Sequence, residues 1–383
     1  MRIAIFTESY EPIINGVSVC VRTLRDGLVQ RGHEVFIFAP AFKGHVDTFA
    51  GVTRTPATHT LLMPDYPFAL PFAPAARRVF ADLKPDIVHT QSPFMLGVLG
   101  AGWAKRFGIP FVATNHTLYT EYVHYAPVRP KALSKRFLIG LMRWYYSRTN
   151  AVVVPSGPVA DVLRSYGVKS RIEVIKTGVD PITALPADQR AVARSGFGVG
   201  ERDFLLLYVG RIAREKNLRM LLTAFKSIAD RRPSARLLLV GGGPALAETK
   251  EFADELALSD KVQFTGMLSR SDIEPIYGAA DAFAFPSTTE TQGIAICEAL
   301  SAGLPVVAVN AGGIPENLQS GVDGFLTADD PAEFADRINF LIDSPDDRMQ
   351  MGARARENAR NFSIDKMVDD FERLYESVAG SAI

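Results

Sequence analysis

Short apolar runs alternate with longer amphipathic stretches through the first half of the chain. The runs are RIAIFTE, EVFIFAP, DIVHTQS, FVATNHT, AVVVPS and IEVIKTG. Each is the length of a strand and is apolar on both faces, and each is followed by a stretch with helical periodicity. This alternation is typical of a parallel sheet that is covered by helices on both sides. The first half is therefore predicted to be an α/β domain.

A second series of alternations follows a weakly patterned stretch, GVDPITALPADQRAVARSGFGVGERD. Its strands are predicted at FLLLYVGR, ARLLLVGGG, VQFTGM, AFAFPST and PVVAVN, with helices between them such as NLRMLLTAFKSIADR. A chain of 383 residues also exceeds the usual size of one domain. We predict two doubly wound, Rossmann-like domains, which divide the chain at residues 1–178 and 179–363.

Composition excludes several classes of function. The 42 basic residues balance the 42 acidic ones, so no net field attracts nucleic acid. No apolar run approaches the roughly 20 residues that a membrane span needs, and Thr7 and Glu8 interrupt the N-terminal apolar run before a signal-peptide core forms. A cytoplasmic protein is expected. Neither first strand leads into Gly-x-Gly-x-x-Gly, which argues against a dinucleotide site.

The segment FPSTTETQGIAICEAL places Glu290 and Glu298 eight positions apart around the predicted start of a helix. Ligands of open parallel sheets bind at the carboxyl ends of the strands. Two carboxylates there could accept hydrogen bonds from sugar hydroxyls, or they could be a helix-start acid and a solvated acid on the helix face. The start of this helix also presents backbone N–H groups to an anion. These groups belong to Thr291, Gln292, Gly293 and Ile294.

Two cations follow the first strand of the second series. Arg211 and Lys216 could stabilise the negative charge on a leaving diphosphate without a metal ion. Solvated cations are the alternative, although cations are mildly unfavourable at the start of a helix. In the first domain, Gly16 could let the backbone approach a diphosphate, or it could simply be a turn glycine. His116 stands at a predicted strand end, where a lone histidine is more often structural.

Three segments together resemble retaining glycosyltransferases of family four, which have the GT-B fold. TTETQGIAICEALSAGLPVVA resembles their Glu-x7-Glu signature, YVGRIAREKNL their diphosphate-binding segment, and INGVS their N-terminal glycine loop. The resemblance implies that Glu290 contacts the transferred sugar and Glu298 the nucleotide ribose. It also implies that Arg211, Lys216 and Gly16 lie at the diphosphate.

The same resemblance assigns further roles and covers nearly the whole chain. It puts His116 beside the donor sugar and Met267 along the nucleotide base, and it makes the last helix, within 364–383, cross back to the first domain. The implied enzyme has two domains facing an interdomain cleft and retains the sugar's configuration by a front-face reaction. It needs no metal and no cofactor apart from the nucleotide-sugar donor.

The acceptor is suggested by a basic stretch. No Asp or Glu occurs between Glu121 and Asp161, and residues 129–148 carry six cations. Helical spacing aligns Leu133, Phe137, Leu141 and Trp144 in one stripe. This helix could lie on an anionic membrane, or its apolar stripe could pack on the first domain's sheet; both can hold at once. Upstream, LLMPDYPFALPFAP is predicted to be an apolar, proline-rich loop.

These features resemble family members that act on membrane lipids, such as diacylglycerol glucosyltransferases and phosphatidylinositol mannosyltransferases. We therefore expect hexose transfer to a lipid acceptor, peripheral at the inner face of the membrane, with UDP-glucose favoured as donor. Transfer of mannose from GDP-mannose to a lipid or small-molecule acceptor is the alternative. Rival classes are a non-catalytic nucleotide-sugar-binding protein, a nucleotide-sugar epimerase and, least favoured, a nicotinamide-dependent dehydrogenase.

Overall fold

The computed structural model describes residues 1–60, 63–121 and 131–380. Of the predicted basic stretch, 129–130 lie outside the described residues, as do His124 and the last three residues of the chain. Two compact units are present. The first is formed by Met1–Gly178 with Ile364–Ile383, and the second by Val179–Ser363.

The first unit contains a parallel sheet. Its strands and helices are β1 (Arg2–Phe6), α1 (Gly16–Gln30), β2 (Glu34–Pro40), β3 (Val52–Thr55), β4 (Ala57–Thr60), β5 (Met63–Ala69), α2 (Pro74–Leu83), β6 (Ile87–Thr90), α3 (Met95–Phe107), β7 (Phe111–Thr114), α4 (Lys131–Tyr146), β8 (Ala151–Val154), α5 (Gly157–Ser165) and β9 (Arg171–Val174). Within the described ranges, seven strands run in the order β3-β2-β1-β6-β7-β8-β9, and β4 pairs with β5 as an antiparallel hairpin.

The second unit repeats this architecture. Its elements are α6 (Ala187–Ser195), β10 (Phe204–Val209), α7 (Leu218–Arg231), β11 (Ala235–Val240), α8 (Leu246–Glu255), β12 (Val262–Gly266), α9 (Arg270–Ala279), β13 (Ala282–Phe285), α10 (Ile294–Ala302), β14 (Val306–Val309), β15 (Gly324–Thr327), α11 (Pro331–Asp343) and α12 (Pro345–Ala359). The strands the structure describes here are all parallel, in the order β12-β11-β10-β13-β14-β15. Both units are thus Rossmann-like, as predicted.

Alternation along β1 explains how the first sheet buries both faces. Ile3 and Ile5 join one apolar cluster with α1, whereas Phe6 joins the other, where it stacks on Phe38 with a centroid distance of 4.6 Å. Successive side chains of a strand point to opposite faces. A strand that is apolar at every position therefore requires a helical layer on each side, and burial of each large side chain stabilises the fold by about 1.5–3 kcal/mol.

The last helix, α13 (Ile364–Gly380), completes one of these layers. Its residues Phe371 and Tyr375 lie in the same apolar cluster as Ile3 and Ile5. The helix approaches α1 so closely that a Cβ atom on Gly27 would lie 2.4 Å from Val368 Cγ2. The C-terminal segment is therefore part of the first unit, although 185 residues of the second unit precede it in the chain.

The prediction of a loop at LLMPDYPFALPFAP is wrong in part. Residues Met63–Ala69 form β5, and α2 begins at Pro74. The segment contains four prolines, which led to the loop prediction. Proline is nevertheless tolerated in edge strands, where one side of the backbone makes no ladder hydrogen bonds, and each strand of a two-stranded hairpin is such an edge. The edge strands β3 and β15 were likewise not predicted.

The apolar stripe predicted for α4 is mostly exposed, contrary to the interpretation that it packs on the first domain's sheet. Leu133, Phe137 and Trp144 are exposed rather than packed on the sheet, whereas Leu141 is half-buried. The residues of α4 that are fully buried in the first unit are Met142, Tyr145 and Tyr146. No helix in the described ranges is both long enough and apolar enough to span a membrane.

Candidate active site

Each sheet reverses its strand order beside its first strand. β1 lies between β2 and β6, and β10 lies between β11 and β13. In open parallel sheets, ligands bind outside the carboxyl ends of the strands at this reversal. A ligand site is therefore expected in the loops that follow β1, β6, β10 and β13.

In the second unit, the reversal brings Lys216 and Glu290 together. Lys216 ends a 3-10 turn after β10, Glu290 lies in the loop after β13, and Lys216 Nζ contacts Glu290 Oε1. Both side chains are mostly buried, so their attraction is screened less than that of a surface pair. The sequence interpretation grouped Lys216 with Arg211; in the structure the lysine is also the partner of the first glutamate.

Arg211 lies between β10 and this turn, which begins at Arg214, and it is exposed. The backbone here is fixed by Tyr208, whose buried hydroxyl donates to the Arg211 carbonyl oxygen at 3.0 Å. Burial raises the pKa of Tyr208 well above its usual value, and the charges of Glu290 and Glu215 raise it further. Tyr208 thus remains a neutral donor, and it fixes the backbone at Arg211, ahead of the turn that carries Lys216.

The loop from Glu290 into α10 has a tightly determined backbone. Gly293 precedes the helix with φ +86°, and no side-chain hydrogen bond caps α10 in the described structure. Gly313 N–H donates to the Glu290 carbonyl oxygen at 2.9 Å, and a Cβ atom on Gly312 would lie 2.3 Å from that oxygen. Ile294 is the first helical residue. The start of α10 thus has no side-chain cap among the described residues, and binding of a ligand by its backbone N–H groups stays a prediction.

A buried polar network supports this loop from behind. Asn317 Nδ2 donates to the carbonyl oxygen of Gln292, which follows Thr291. Asn358 Nδ2 in turn donates to the Asn317 carbonyl oxygen at 2.8 Å and to Asp323 Oδ2 at 2.6 Å. Burial raises the pKa of Asp323. The sequence analysis missed these residues because nothing in local periodicity connects three separate loops.

Glu298 is fixed by two side chains of α9. Arg270 Nη1 contacts Glu298 Oε1, and the Tyr277 hydroxyl donates to Glu298 Oε2 at 2.9 Å. Burial is the first cause of the strongly raised pKa of Tyr277. Arg270 Nε also donates to Glu274 at 2.9 Å. Arg270 and Tyr277 were not predicted, although their seven-residue separation places them on one helix face, where they could share a neighbour.

Met267 lies further along the same edge, directly after β12. Its side chain is exposed and packs over Gly242, where an added Cβ atom would lie 3.0 Å from Met267 Cγ. In the VGGGP turn after β11, a Cβ atom on Gly241 would lie 1.9 Å from the Gly210 carbonyl oxygen. The glycines of this turn therefore serve a close backbone crossing between the loops that follow β10 and β11.

In the first unit, Gly16 is the exposed first residue of α1. Asn15 caps the helix: its side chain accepts from Ser18 N–H at 2.9 Å, and Ser18 Oγ accepts from Asn15 N–H at 2.9 Å. This reciprocal arrangement fixes the loop that leads from β1. The NGVS tetrapeptide carried a signal for the cap that the sequence analysis did not use.

His116 follows β7, and its Nε2 lies 2.7 Å from Gln91 Oε1. Because an amide oxygen only accepts, the histidine donates from Nε2. Burial lowers the pKa of His116 to about 4, so the ring is neutral near pH 7. The small cavity beside it is also lined by Cys20, Thr114, Lys176, Thr177 and Phe371.

Glu8 is a further carboxylate at this edge, and the sequence analysis did not select it as a site residue. It follows β1, and its Oε1 accepts from Leu96 N–H at the start of α3. Burial raises the pKa of Glu8 to about 7. A glutamate directly after an apolar strand at a sheet reversal was the available signal, but its environment depends on where α3 begins.

The predicted residues thus form two sets. Gly16 and His116 belong to the first unit. The others follow strands of the second unit, and Glu290 and Lys216 are in direct contact there. Over the described part of the chain, no three His, Cys, Asp or Glu side chains group together as metal ligands do.

Comparison with known proteins identifies both halves of the chain. Residues 14–182 match the model of Glycosyltransferase Family 4, and residues 189–358 match that of Glycosyl transferases group 1. An alpha-monoglucosyldiacylglycerol synthase of Streptococcus pneumoniae is 35% identical over 80% of this chain and 71% of its own length. A GDP-mannose-dependent alpha-mannosyltransferase of Corynebacterium glutamicum is 28% identical over 85% of this chain and 76% of its own.

Solved structures agree on the fold. The Anabaena protein HepE, crystallised in complex with UDP, superposes with a TM-score of 0.79 at 21% identity, covering 98% of this chain and 100% of that one. Two Rossmann-like units in one chain, with this similarity, are the GT-B fold. The chain therefore belongs to the family-four glycosyltransferases, as the Glu-x7-Glu segment implied.

Proposed function

We propose that this glycosyltransferase transfers glucose from UDP-glucose to a membrane lipid such as diacylglycerol, with retention of configuration and without a metal ion. The observation that carries the proposal is the Lys216–Glu290 pair beside the start of α10. A cation, a carboxylate and a helix N-terminus at one sheet reversal suit a ligand that is both anionic and rich in hydroxyl groups.

Each residue has a distinct role in this proposal. Glu290 accepts hydrogen bonds from hydroxyls of the transferred hexose, and Glu298 accepts those of the ribose. As the bond between the sugar C1 and the diphosphate oxygen breaks, its electron pair stays on the diphosphate, and Arg211 and Lys216 stabilise the new charge. The acceptor oxygen bonds to C1 on the same face, and its proton passes to the departing diphosphate.

Backbone groups supply the remaining contacts of the donor. The N–H groups of Thr291, Gln292, Gly293 and Ile294 bind phosphate oxygens, aided by the dipole of α10. Met267 lies against the nucleotide base. The Asn317 network keeps this loop in place, so that little reorganisation is needed when the charge develops.

In the first unit, Gly16 and His116 serve the same reaction. The exposed start of α1 at Gly16 allows a diphosphate to approach the backbone. His116 hydrogen-bonds a hydroxyl of the donor sugar as a neutral ring, because its lowered pKa keeps it uncharged. Its bond to Gln91 fixes the orientation of the imidazole.

A peripheral position on the membrane is supported by α4. Its exposed Leu133, Phe137 and Trp144 form an apolar stripe beside the exposed Arg136, and Arg148 lies 4.6 Å from the ring centroid of Trp144. A basic amphipathic helix of this kind binds anionic lipid surfaces, each cation contributing about 1 kcal/mol. The proposed contact extends over residues 129–148 at the inner face of the membrane.

Mannose transfer from GDP-mannose is a second candidate, favoured by the similarity to the Corynebacterium glutamicum mannosyltransferase. Glucose is preferred because the Streptococcus pneumoniae relative, whose name specifies a glucosyldiacylglycerol product, is more similar in sequence. The two candidates share every residue role given above and differ in the sugar and the nucleotide base.

The test is a turnover assay of the full chain on vesicles that contain anionic lipid and dioleoylglycerol. UDP-glucose and GDP-mannose are supplied separately, and the anomeric configuration of any glycolipid is determined by NMR. We expect an α-glucolipid from UDP-glucose and none from a Glu290→Gln variant. Product from GDP-mannose alone would select the second candidate. Donor binding without turnover on any lipid would instead favour a nucleotide-sugar-binding protein.

A further inference from the structure

We propose that Glu8 binds the hydroxyl group of the acceptor, at a site on the first unit formed by the loops after β1 and β6. The inference rests on the proposed function, because it names the place where that reaction's acceptor is held. Neither the Glu-x7-Glu segment nor the diphosphate-binding segment contributes to this site.

The position of Glu8 is the first argument. It directly follows β1, at the reversal of the first sheet, and Gln91 N–H donates to the Phe6 carbonyl oxygen at 2.9 Å, so that the two loops lie side by side. Leu96 N–H donates to one oxygen of Glu8. A carboxylate has two oxygens and about four acceptor sites, which leaves capacity for a ligand's hydroxyl donor.

The loop after β6 contains buried polar atoms that lack hydrogen-bond partners within the described part of the chain. Gln91 Nε2 and Ser92 Oγ are buried and have no hydrogen-bond partner among the residues that the structure describes. Leaving a buried donor unpaired costs about 1–3 kcal/mol. Together with Glu8 they provide both acceptors and donors, which is what a hydroxyl needs because it donates once and accepts as well.

The donor Gln91 Nε2, unpaired among the described residues, suits a hydroxyl, whose oxygen can accept from it, rather than a cation, which cannot. No Lys, Arg or His lies within ion-pair distance of Glu8 in the described ranges. Tyr119 and Tyr145 are close enough for the charge of Glu8 to raise their pKa values further above the usual range. Burial also lowers the pKa of His116 to about 4 and that of His89 to about 3. Tyr119 and Tyr145 are thus uncharged between pH 6 and 8, and so are the two histidines.

The edge of the site is apolar. Phe94, which precedes α3, and Met95, the first residue of α3, are partly exposed, and the ring of Phe94 packs edge-on against Tyr119 with a centroid distance of 4.9 Å. A polar interior beside an exposed apolar edge suits an alcohol with an apolar body. A diacylglycerol, with one free hydroxyl and two acyl chains, has this character.

The experiment measures binding of 1,2-dihexanoylglycerol, a soluble diacylglycerol, to the full chain by calorimetry, with and without UDP. Glu8→Gln retains an oxygen that can accept from Leu96 N–H, so the start of α3 keeps its cap while the charge is lost. Glu11→Gln makes the same chemical change three residues along the loop and serves as the control. Thermal unfolding of each variant verifies the fold.

We expect Glu8→Gln to weaken binding of the probe at least tenfold at pH 8, Glu11→Gln to leave it unchanged, and both variants to bind UDP as the wild type does. Wild-type affinity should also rise from pH 6 to pH 8, and that rise should be absent in Glu8→Gln. Equal affinity of wild type and Glu8→Gln, or no binding by the wild type, overturns the inference. Binding that depends on Glu8, without transfer of any hexose, removes the proposed function and leaves this site standing.

Discussion

The two sheet reversals of this protein have the same topology, but the glutamates at them differ in whether a cation lies beside them. At the reversal of the second unit each glutamate is in contact with a cation, Glu290 with Lys216 and Glu298 with Arg270. At the reversal of the first unit, Glu8 is mostly buried, has no cation beside it in the described residues, and has a pKa raised to about 7. The same architecture thus holds charged pairs on one sheet and a desolvated acid on the other.

This difference suggests a division of labour. Paired charges can exchange partners with a polar ligand without leaving an unpaired charge buried. A carboxyl group whose pKa is raised to about 7 is partly protonated near neutral pH, so it can both donate to and accept from a hydroxyl partner. The second unit is accordingly suited to the nucleotide sugar and the first to the alcohol.

Removing Lys216 should have the largest effect. Lys216→Met takes away a cation that is proposed to stabilise the leaving diphosphate, and it removes the ion-pair partner of Glu290. We expect kcat/KM to fall by about 100- to 1000-fold, the loss typical of removing one preorganised electrostatic contact. Steady-state kinetics with UDP-glucose measure this. Lys226→Met, which breaks the surface pair with Asp230, is the matched control and should lose little activity.

A double variant separates chemistry from folding. In Lys216→Met with Glu290→Gln, no uncompensated charge is buried, so the unfolding temperature should recover relative to Lys216→Met alone. Activity should stay low. Recovery of turnover together with stability would mean that the lysine acts only as a structural partner of Glu290. The proposed role of Lys216 at the diphosphate would then be wrong.

Arg270 should have a smaller effect, on donor affinity. Arg270→Gln releases one oxygen of Glu298 while Tyr277 still holds the other. Because Glu298 is proposed to bind ribose equally in the ground and transition states, we expect KM for the donor to rise by about 10- to 30-fold with little change in kcat. Arg232→Gln, which removes a surface pair with Asp343, is the control. A fall in kcat at constant KM would contradict the assignment.

The sequence predicted the strands that are apolar on both faces, and it predicted that the Glu-x7-Glu segment begins a helix. Both are local properties. It did not predict that Lys216 contacts Glu290, because that contact crosses 74 positions and depends on β10 and β13 being neighbours in the sheet. The environment of Glu8 was missed for the same reason, since α3 begins 87 positions later.

Short elements at the edges were also missed. β15 has the sequence GFLT, which begins with a glycine and is only four residues long, too short for a periodicity to be recognised. The exposed stripe of α4 was recognised, but whether it faced the sheet could not be predicted. The helix carries a second apolar set, including Met142, Tyr145 and Tyr146, which is the one that is buried.

The raised pKa of Glu8 predicts a pH dependence of stability. The unfolded chain releases this proton near pH 4.5, whereas the folded chain retains it up to about pH 7. The stabilising contribution is therefore complete below pH 4.5 and is lost as pH rises through 7. Glu8→Gln should be more stable than the wild type by about 1–3 kcal/mol at pH 8, with a much smaller difference at pH 4.5.

Urea unfolding monitored by circular dichroism at the two pH values measures this difference, with Glu11→Gln as the control. A gain that is equal at both pH values would indicate that Gln simply packs better than Glu, and no gain at pH 8 would show that the carboxylate is adequately solvated. Either result would mean that burial does not raise the pKa of Glu8. The contrast between Glu8 and the paired glutamates of the second unit would then not hold.

The smallest effect concerns the exposed stripe of α4, which belongs to the first unit. Phe137 is 69% exposed, so Phe137→Ser should leave the unfolding temperature almost unchanged. Co-sedimentation with anionic vesicles should nevertheless weaken by about three- to tenfold, because the ring no longer enters the lipid. Met349→Ser removes an apolar side chain that is 70% exposed on the second unit and should not affect binding. Equal losses in both variants would mean that vesicle binding does not depend on the stripe of α4 in particular. A loss confined to Phe137→Ser would place the membrane contact on the first unit. This is the unit that also carries Glu8, the residue proposed to bind the hydroxyl group of a lipid acceptor.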